Sequence, residues 1–504
     1  MMKKQGMDLP LHRGAPGEPA DRMEYSLAEI DPLLAGLVTR EAARQEEKIT
    51  LIPSESRPHP AVLEALASPL TSLYAEGYAP RRLRTATLAA LANVDARLAE
   101  HREMGTRRYY EGTEVADLVE SIAERRAARC FASRDCPEAD IYANVQALSG
   151  SAANLAIYQA LLEPGDTILA MALAEGGHLT HGSPYSVSGQ RYHAVFYHTD
   201  PSTERLDYDA IARLAREHQP KLIGGGFTSY PWEPDWPALR RIADDIGAVL
   251  LADVSHLAGL IVGDVCENPL PHADVVMFTT HKTLCGPRGA VILSKDAELA
   301  RRIDRAVFPG LQGGPHVNNI AAIAVALHLA QSRTFADTQR LTVSNARSLA
   351  DALAVGGLRL AYGGTNTHLV LTDLAPLGLD GGTAARALDR AGIVCNRNVL
   401  PGDRNGGTVR GIRFGTTWVS QWGWGADEMR LLAGVIARLV NAIAADSSPD
   451  ASQSACAAAR RDVASLLATG RAMAGAALAE EPIRVEPSNP LPEEAAGAPC
   501  RLRR

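Results

Sequence analysis

Two apolar runs constrain this chain most. Val249-Leu250-Leu251-Ala252 runs straight into Asp253, and Ala273-Asp274-Val275-Val276-Met277-Phe278 leads through Thr279-Thr280-His281 to Lys282, ahead of a Gly286-Pro287-Arg288-Gly289 turn. Both runs have the length of a buried strand. Asp253 and Lys282 are 29 residues apart, about one strand–connection–strand unit, which puts both at the same edge of one sheet. A carboxylate at the end of a buried strand needs a partner. An amine there has a lowered pKa, because desolvation disfavours its charged form, and such an amine can attack an aldehyde to form a Schiff base.

A third piece precedes these. Ser149-Gly150-Ser151-Ala152-Ala153-Asn154 follows the strand-like Ile141–Val145 and opens a helical stretch, Leu155 to Leu162. A small, hydroxyl-rich turn at a helix start offers backbone N–H groups and hydroxyls to a phosphate. Taken singly, the three have ordinary explanations: a surface lysine after a strand, an Asp capping the next helix, a Ser N-cap. In this order they describe a phosphate cradle, an acid that holds a pyridine nitrogen protonated, and a Schiff-base lysine. That is the set needed by pyridoxal 5'-phosphate, whose ring is an electron sink.

Composition narrows the alternatives. At 504 residues the chain exceeds one typical core. Its net charge of −7 provides no basic surface for nucleic acid or an acidic membrane. The seven cysteines (Cys130, Cys136, Cys266, Cys285, Cys395, Cys456 and Cys500) are odd in number and form no C-x-x-C pair. We expect neither a metal site nor a disulfide framework, and a reducing, cytoplasmic setting. The N-terminus lacks an apolar signal core, and no run approaches the ~20 apolar residues of a membrane span.

Alternating strand and helix patterns over about 48–333 predict an α/β fold, a mostly parallel sheet of the seven-stranded type covered by helices. A smaller α+β unit is expected over 334–445, with helices Thr342–Ala354 and Gly382–Ala391, a strand His368–Leu374, and Arg413 near a strand. Residues 1–47 read as a loose arm (to about residue 25) and a helix over Leu27–Arg44. Residues 446–504 read as an Ala/Pro-rich extension with a helix over Ser454–Ala472 and disorder after Ala479.

Longer strings carry a resemblance. Tyr74-Ala75-Glu76-Gly77-Tyr78, Arg108-Tyr109-Tyr110, Ser149-Gly150-Ser151, Gly176-Gly177-His178-Leu179-Thr180-His181-Gly182, Asp253-Val254-Ser255-His256, Thr279-Thr280-His281-Lys282-Thr283, Phe308 to Pro315 and Gly411 to Thr416 occur in an order that resembles the serine hydroxymethyltransferase family. The resemblance, over about 26–442, implies the aspartate-aminotransferase fold and reversible serine–glycine interconversion with tetrahydrofolate as co-substrate. It implies that Lys282 carries the cofactor, Asp253 meets its ring nitrogen and His178 stacks on its ring. Ser149, Gly150 and Ser151 would hold the phosphate, with Gly313 and Gly314 of a neighbouring subunit; Thr228 and His256 would lie near the phenolic oxygen, and Thr279 and His281 would line the same site. Arg413 would grip the amino acid carboxylate through an Arg fork, with Ser54 also touching substrate. Glu76 would transfer a proton at the substrate hydroxyl or at the folate, and Leu173, Leu179 and Asn398 would contact folate. Tyr74 and Tyr110 would reach in from the partner, which implies a homodimer with shared active sites, or a homotetramer.

The chain departs from that pattern in two places. An insertion of roughly 25–30 residues lies at about 80–106, with apolar residues at helical spacing over Thr87–Glu103, which predicts a helix. The stretch 403–408 is glycine-rich, and Thr417-Trp418 and Ser420–Trp424 replace the usual residues. These differences motivate a second hypothesis, a folate-independent threonine-type aldolase or transaldolase. A third, a silent scaffold or RNA-binding relative, is opposed by the intact Lys282, Asp253, Glu76 and Arg413 and by the acidic charge.

Overall fold

The structure, a computed structural model, describes residues 25–403 and 409–477. The chain forms two compact units, one ending at Lys48 and the other starting at Ile49. The first holds the helices Leu27–Ile30 and Pro32–Glu47 where a single helix was expected. The Asp31 side chain separates them, accepting from the Leu34 N–H at 2.9 Å and capping the second helix. The expected loose arm before residue 25, the residues after Ala479 and positions 404–408 lie outside the described residues.

The second unit is built on a seven-stranded sheet. From one edge to the other its strands are Tyr142–Asn144, Ala290–Ser294, Val275–Thr279, Val249–Asp253, Leu222–Gly226, Thr167–Met171 and His193–Tyr197. Neighbours pair in parallel from Val275–Thr279 to His193–Tyr197, and Ala290–Ser294 pairs antiparallel on both sides. The runs are continuously apolar because both faces are covered. Along Val275–Thr279, Val276 and Phe278 join the core on one face, with Phe278 stacked 4.7 Å from Phe131, while Val275 and Met277 join the core on the other. Leu250 and Leu251 divide in the same way. The result is the expected α/β architecture, a mostly parallel sheet between helices.

A four-stranded antiparallel sheet follows in the order Asn396–Asn398, Gly411–Gly415, Leu369–Asp373, Arg359–Leu360. Helices Arg333–Val355, Gly381–Ala391 and Ala426–Ala445 pack on it in a separate apolar cluster. The predicted strand and helices are present here; the helix expected to start at Thr342 starts at Arg333, capped by Ser332. The C-terminal helix runs Pro449–Ala477 and buries Cys456, Val463, Leu466 and Leu467 in that cluster.

The single helix expected over Thr87–Glu103 is broken. Helices run Arg81–Arg84, Leu88–Leu91 and Val94–Met104, because Thr87 caps one and Asn93 caps the next. Helix formers with caps in mid-run start new helices instead of extending old ones. Leu83 and Leu91 are buried against Leu118.

Candidate active site

The adjacent, parallel strands Val249–Asp253 and Val275–Thr279 bring the two singled-out residues to one sheet edge. Asp253 ends the first and pairs in register with Met277, and Lys282 follows the second by three residues. The Lys282 amine donates to Thr279 Oγ1 at 2.9 Å. Burial pulls its pKa from 10.5 to about 8, against the opposing attraction of Asp253.

Asp253 is not a helix cap; the next helix starts at Ala258 with Leu257 at its N-cap. Its carboxylate accepts from Asn154 Nδ2 at 2.9 Å, Ser255 Oγ at 2.6 Å and the Ser255 N–H at 3.1 Å. His181 Nε2 lies 3.2 Å away, and the other ring nitrogen is 2.5 Å from the Tyr158 hydroxyl. Nε2 must carry a proton, since a carboxylate only accepts, which leaves Nδ1 as the ring atom able to accept from the Tyr158 hydroxyl. Burial pushes the Asp253 carboxyl up, but His181, His178 and Ser255 together hold it well below the usual carboxylate range. A fixed, buried negative charge results.

His178 leans on this group, with Nδ1 2.6 Å from Thr180 Oγ1 and its ring 5.9 Å from that of His181; burial lowers its pKa to about 4. One ligand-type atom from each of His178, His181 and Asp253 lies within 4.8 Å of the others. Ser149 caps the helix Gly150–Leu161, accepting from the Ala152 N–H at 3.2 Å, and Ser151 is in its first turn. A Cβ at Gly150 would stand 2.7 Å from the Thr279 methyl, so this helix start presses on the strand that leads to Lys282.

The buried side-chain atoms here with no hydrogen-bond partner among the described residues include Thr228 Oγ1, His281 Nδ1, Asn154 Oδ1 and His368 Nδ1. His256 is buried, and its Nδ1 is 3.2 Å from Nε2 of buried His368, with rings 5.4 Å apart. Burial holds the His256 pKa well below its ordinary value.

Arg413 projects from the strand Gly411–Gly415. It is 8 % exposed, donates to Asn396 Oδ1 at 3.1 Å and to the Thr228 carbonyl at 2.6 Å, and has no carboxylate partner among the described residues. Burial lowers its pKa to about 10. An unpaired buried guanidinium awaits an anion. Ser54 is half-buried in a segment that packs against Gly415 and, through Ser56 Oγ, on the His281 carbonyl at 3.0 Å.

The remaining candidates form a second group. The Tyr74 and Tyr110 rings are 4.9 Å apart; desolvation and then the Glu76 carboxylate raise the Tyr110 pKa. A Cβ at Gly313 would lie 3.2 Å from Glu76 Oε1, and one at Gly314 3.5 Å from the Tyr74 ring. Tyr74 is 58 % exposed and borders, with Gly314, a cavity of about 400 Å³. Among the described residues, no hydrogen bond, ion pair or ring contact joins Tyr74, Glu76 or Tyr110 to Lys282, Asp253 or Arg413. Leu173 and Leu179 are exposed, and Asn398 Nδ2 donates to the Val399 carbonyl.

Sequence reasoning missed His181, Asn154 and His368. His181 stood inside a quoted motif, and His368 opens a buried strand, where a polar side chain needs a reason. Asn154 gave no signal beyond its place in the first turns of a helix.

The chain is similar to known proteins over most of its length. The family model "Serine hydroxymethyltransferase" matches residues 27–89 and 93–436. The chain is 45% identical over 420 residues to the serine hydroxymethyltransferase of Acidothermus cellulolyticus, covering 83% of this chain and 90% of that one. It is 42% identical over 441 residues to that of Paramagnetospirillum magneticum, covering 87% and 95%. The Methylobacterium sp. protein of the same name is 43% identical over 420 residues, covering 83% and 89%. The chain belongs to the serine hydroxymethyltransferase family.

Proposed function

We propose that the chain interconverts serine and glycine, passing the one-carbon unit to tetrahydrofolate, with pyridoxal phosphate as cofactor. The observation that carries this reading is the desolvated Lys282 amine beside the buried Asp253 carboxylate at neighbouring strand ends, with the unpaired Arg413 guanidinium within electrostatic reach of the amine. The residues fit the cofactor. Lys282 would bind its aldehyde and Asp253 its ring nitrogen, with His178 along its face. Thr228 and His256 would lie near its phenolic oxygen, with Thr279 and His281 lining the site. Ser149, Gly150 and Ser151 would receive its phosphate at a helix N-terminus. The orphaned Thr228 hydroxyl and His281 nitrogen support a polar occupant. When bound, the cofactor supplies the electron sink for the breaking Cα–Cβ bond.

This chain's own groups do the rest. Asp253 stays ionised and would hold a cofactor ring nitrogen in its protonated form. Arg413, aided by Ser54, fixes the substrate carboxylate and so chooses which Cα bond is aligned for cleavage. Glu76, with the Tyr110 hydroxyl held neutral beside it, moves the proton at the substrate hydroxyl oxygen or at the folate. Leu173 and Leu179 offer exposed apolar surface to folate, with Asn398 as a polar contact.

That no contact among the described residues joins Tyr74, Glu76 or Tyr110 to Lys282, Asp253 or Arg413 supports a homodimer in which each chain completes its partner's site, or a tetramer of such dimers. No helix among the described residues is long and apolar enough to cross a membrane. The described cysteines are free thiols, in keeping with a cytoplasmic setting.

The test is serine cleavage with and without tetrahydrofolate. The expected result is a rate that rises at least about tenfold with tetrahydrofolate, a barrier change of about 1.4 kcal/mol or more. Equal rates would replace this reading with the folate-independent aldolase, which the family match disfavours. Arg413→Lys keeps the charge but loses the fork. It should raise KM for serine roughly 10- to 100-fold, the worth of one charge-assisted hydrogen bond, measurable by steady-state kinetics.

A further inference from the structure

The segment Arg81–Met104 lies between Glu76 and Tyr110 in sequence. Besides the buried Leu83 and Leu91, its Arg84 side chain points inward. Arg84 donates from Nη1 to Asp304 Oδ2 at 2.7 Å, from Nε to Glu124 Oε2 at 2.9 Å and from Nη2 to the Ala143 carbonyl at 3.1 Å, and its guanidinium lies 5.2 Å from the centre of the Tyr78 ring. The two carboxylates are 5 % and 16 % exposed, so they cannot both stay ionised without a cation.

Asp304 also ties into the Glu76 turn, through its backbone carbonyl and one carboxylate oxygen. The Tyr78 hydroxyl donates to the Asp304 carbonyl at 2.6 Å, and Asn144 Nδ2 donates to Asp304 Oδ1 at 2.8 Å. Asn144 in turn accepts from the Gln146 N–H at 3.0 Å, and Gln146 Nε2 donates to the Gly77 carbonyl at 2.9 Å. Arg108 Nη1 donates to the Ala75 and Gly77 carbonyls, and the Tyr109 N–H to the Glu76 carbonyl at 3.0 Å. Three successive carbonyls about Glu76 are thus pinned. Gly77 sits at φ +106°, where a side chain would be strained.

We infer that Arg84 is a positioning residue for Glu76: paired with Glu124 and Asp304, it fixes the Asp304 side chain on which the Tyr78–Asn144–Gln146 chain that holds the Glu76 turn is anchored. This rests on the reading of Glu76 as the proton-transfer group.

The test compares Arg84→Met, Arg84→Lys, the double variant Arg84→Met/Glu124→Gln, and Glu76→Gln as reference. A surface control, Glu100→Ala, removes only the exposed-side pairs with Arg82 and Arg97. Arg84→Met should lower kcat about 10- to 100-fold, with KM for serine unchanged within about twofold, because a turn displaced by about 1 Å misaligns Glu76 and leaves the Arg413 grip intact. Exchange of the Tyr109 amide proton should speed up at least about tenfold. The double variant, which removes one of the two carboxylates left without a cation, should recover part of both losses, and Glu100→Ala should match wild type. If Arg84→Met fails to fold, Arg84→Lys and the double variant carry the same two readouts. Wild-type kcat and exchange in Arg84→Met, or a loss that the double variant does not even partly restore, would overturn the inference. Wild-type kcat in Glu76→Gln would instead overturn the reading it rests on.

Discussion

A Lys282→Ala chain loses the visible absorption that a pyridoxal aldehyde gains on condensing with an amine, and its serine turnover falls by at least about 10³-fold, within the range for removing a covalent or acid–base group. The sign of the pH effect follows from the lowered amine pKa. Only the neutral amine attacks an aldehyde. An ordinary lysine is neutral in about one molecule in 300 at pH 8, whereas Lys282, pulled to about 8 by burial, is about half neutral there. Capture of pyridoxal phosphate by cofactor-free protein should therefore quicken as pH rises toward 8 and level off above it, as followed by absorbance after mixing. A colourless wild-type protein, or capture that keeps accelerating to pH 10, would contradict the assignment of Lys282.

Asp253→Asn carries the second large effect. The carboxylate is surrounded by donors from Asn154, His181 and Ser255, and its negative charge is the feature a protonated ring nitrogen would meet. Removing one partner of a buried charge pair costs about 3–5 kcal/mol, which, if lost in the transition state, is a fall in kcat of roughly 10²- to 5 × 10³-fold. The amide –NH₂ would also face donors from Asn154 and His181, leaving buried groups unpaired. Cofactor affinity, measured by titrating the cofactor-free variant, should weaken alongside kcat. A variant with wild-type kcat and affinity would exclude Asp253 as the ring-nitrogen partner.

Much of this architecture could be read from the chain. Val249–Asp253 and Val275–Thr279 are visible as strands because both their faces are apolar, and their spacing alone places Asp253 and Lys282 at one edge. The helix start at Ser149 was equally legible, since small residues and hydroxyls there have few other uses. Boundaries were less so. The helix over 87–103 breaks because Asn93 caps locally, a short-range choice that apolar periodicity does not register. Folding of the helix Arg333–Val355 likewise starts nine residues before the predicted Thr342, at the Ser332 cap.

Local sequence determined which residues would stand at strand ends and helix starts, because backbone periodicity and apolar runs act over a few neighbours, and this sufficed for the α/β fold and the lysine–acid pair. Only the tertiary structure decided what surrounds them. Asn154 reaches Asp253 across 99 residues, His368 reaches His256 across 112, and Arg84 reaches Asp304 across 220. Desolvation and charge pairing depend on distance in space, so the lowered Lys282 pKa, the ionised Asp253 and the unpaired Arg413 exist only once those distant segments have packed together.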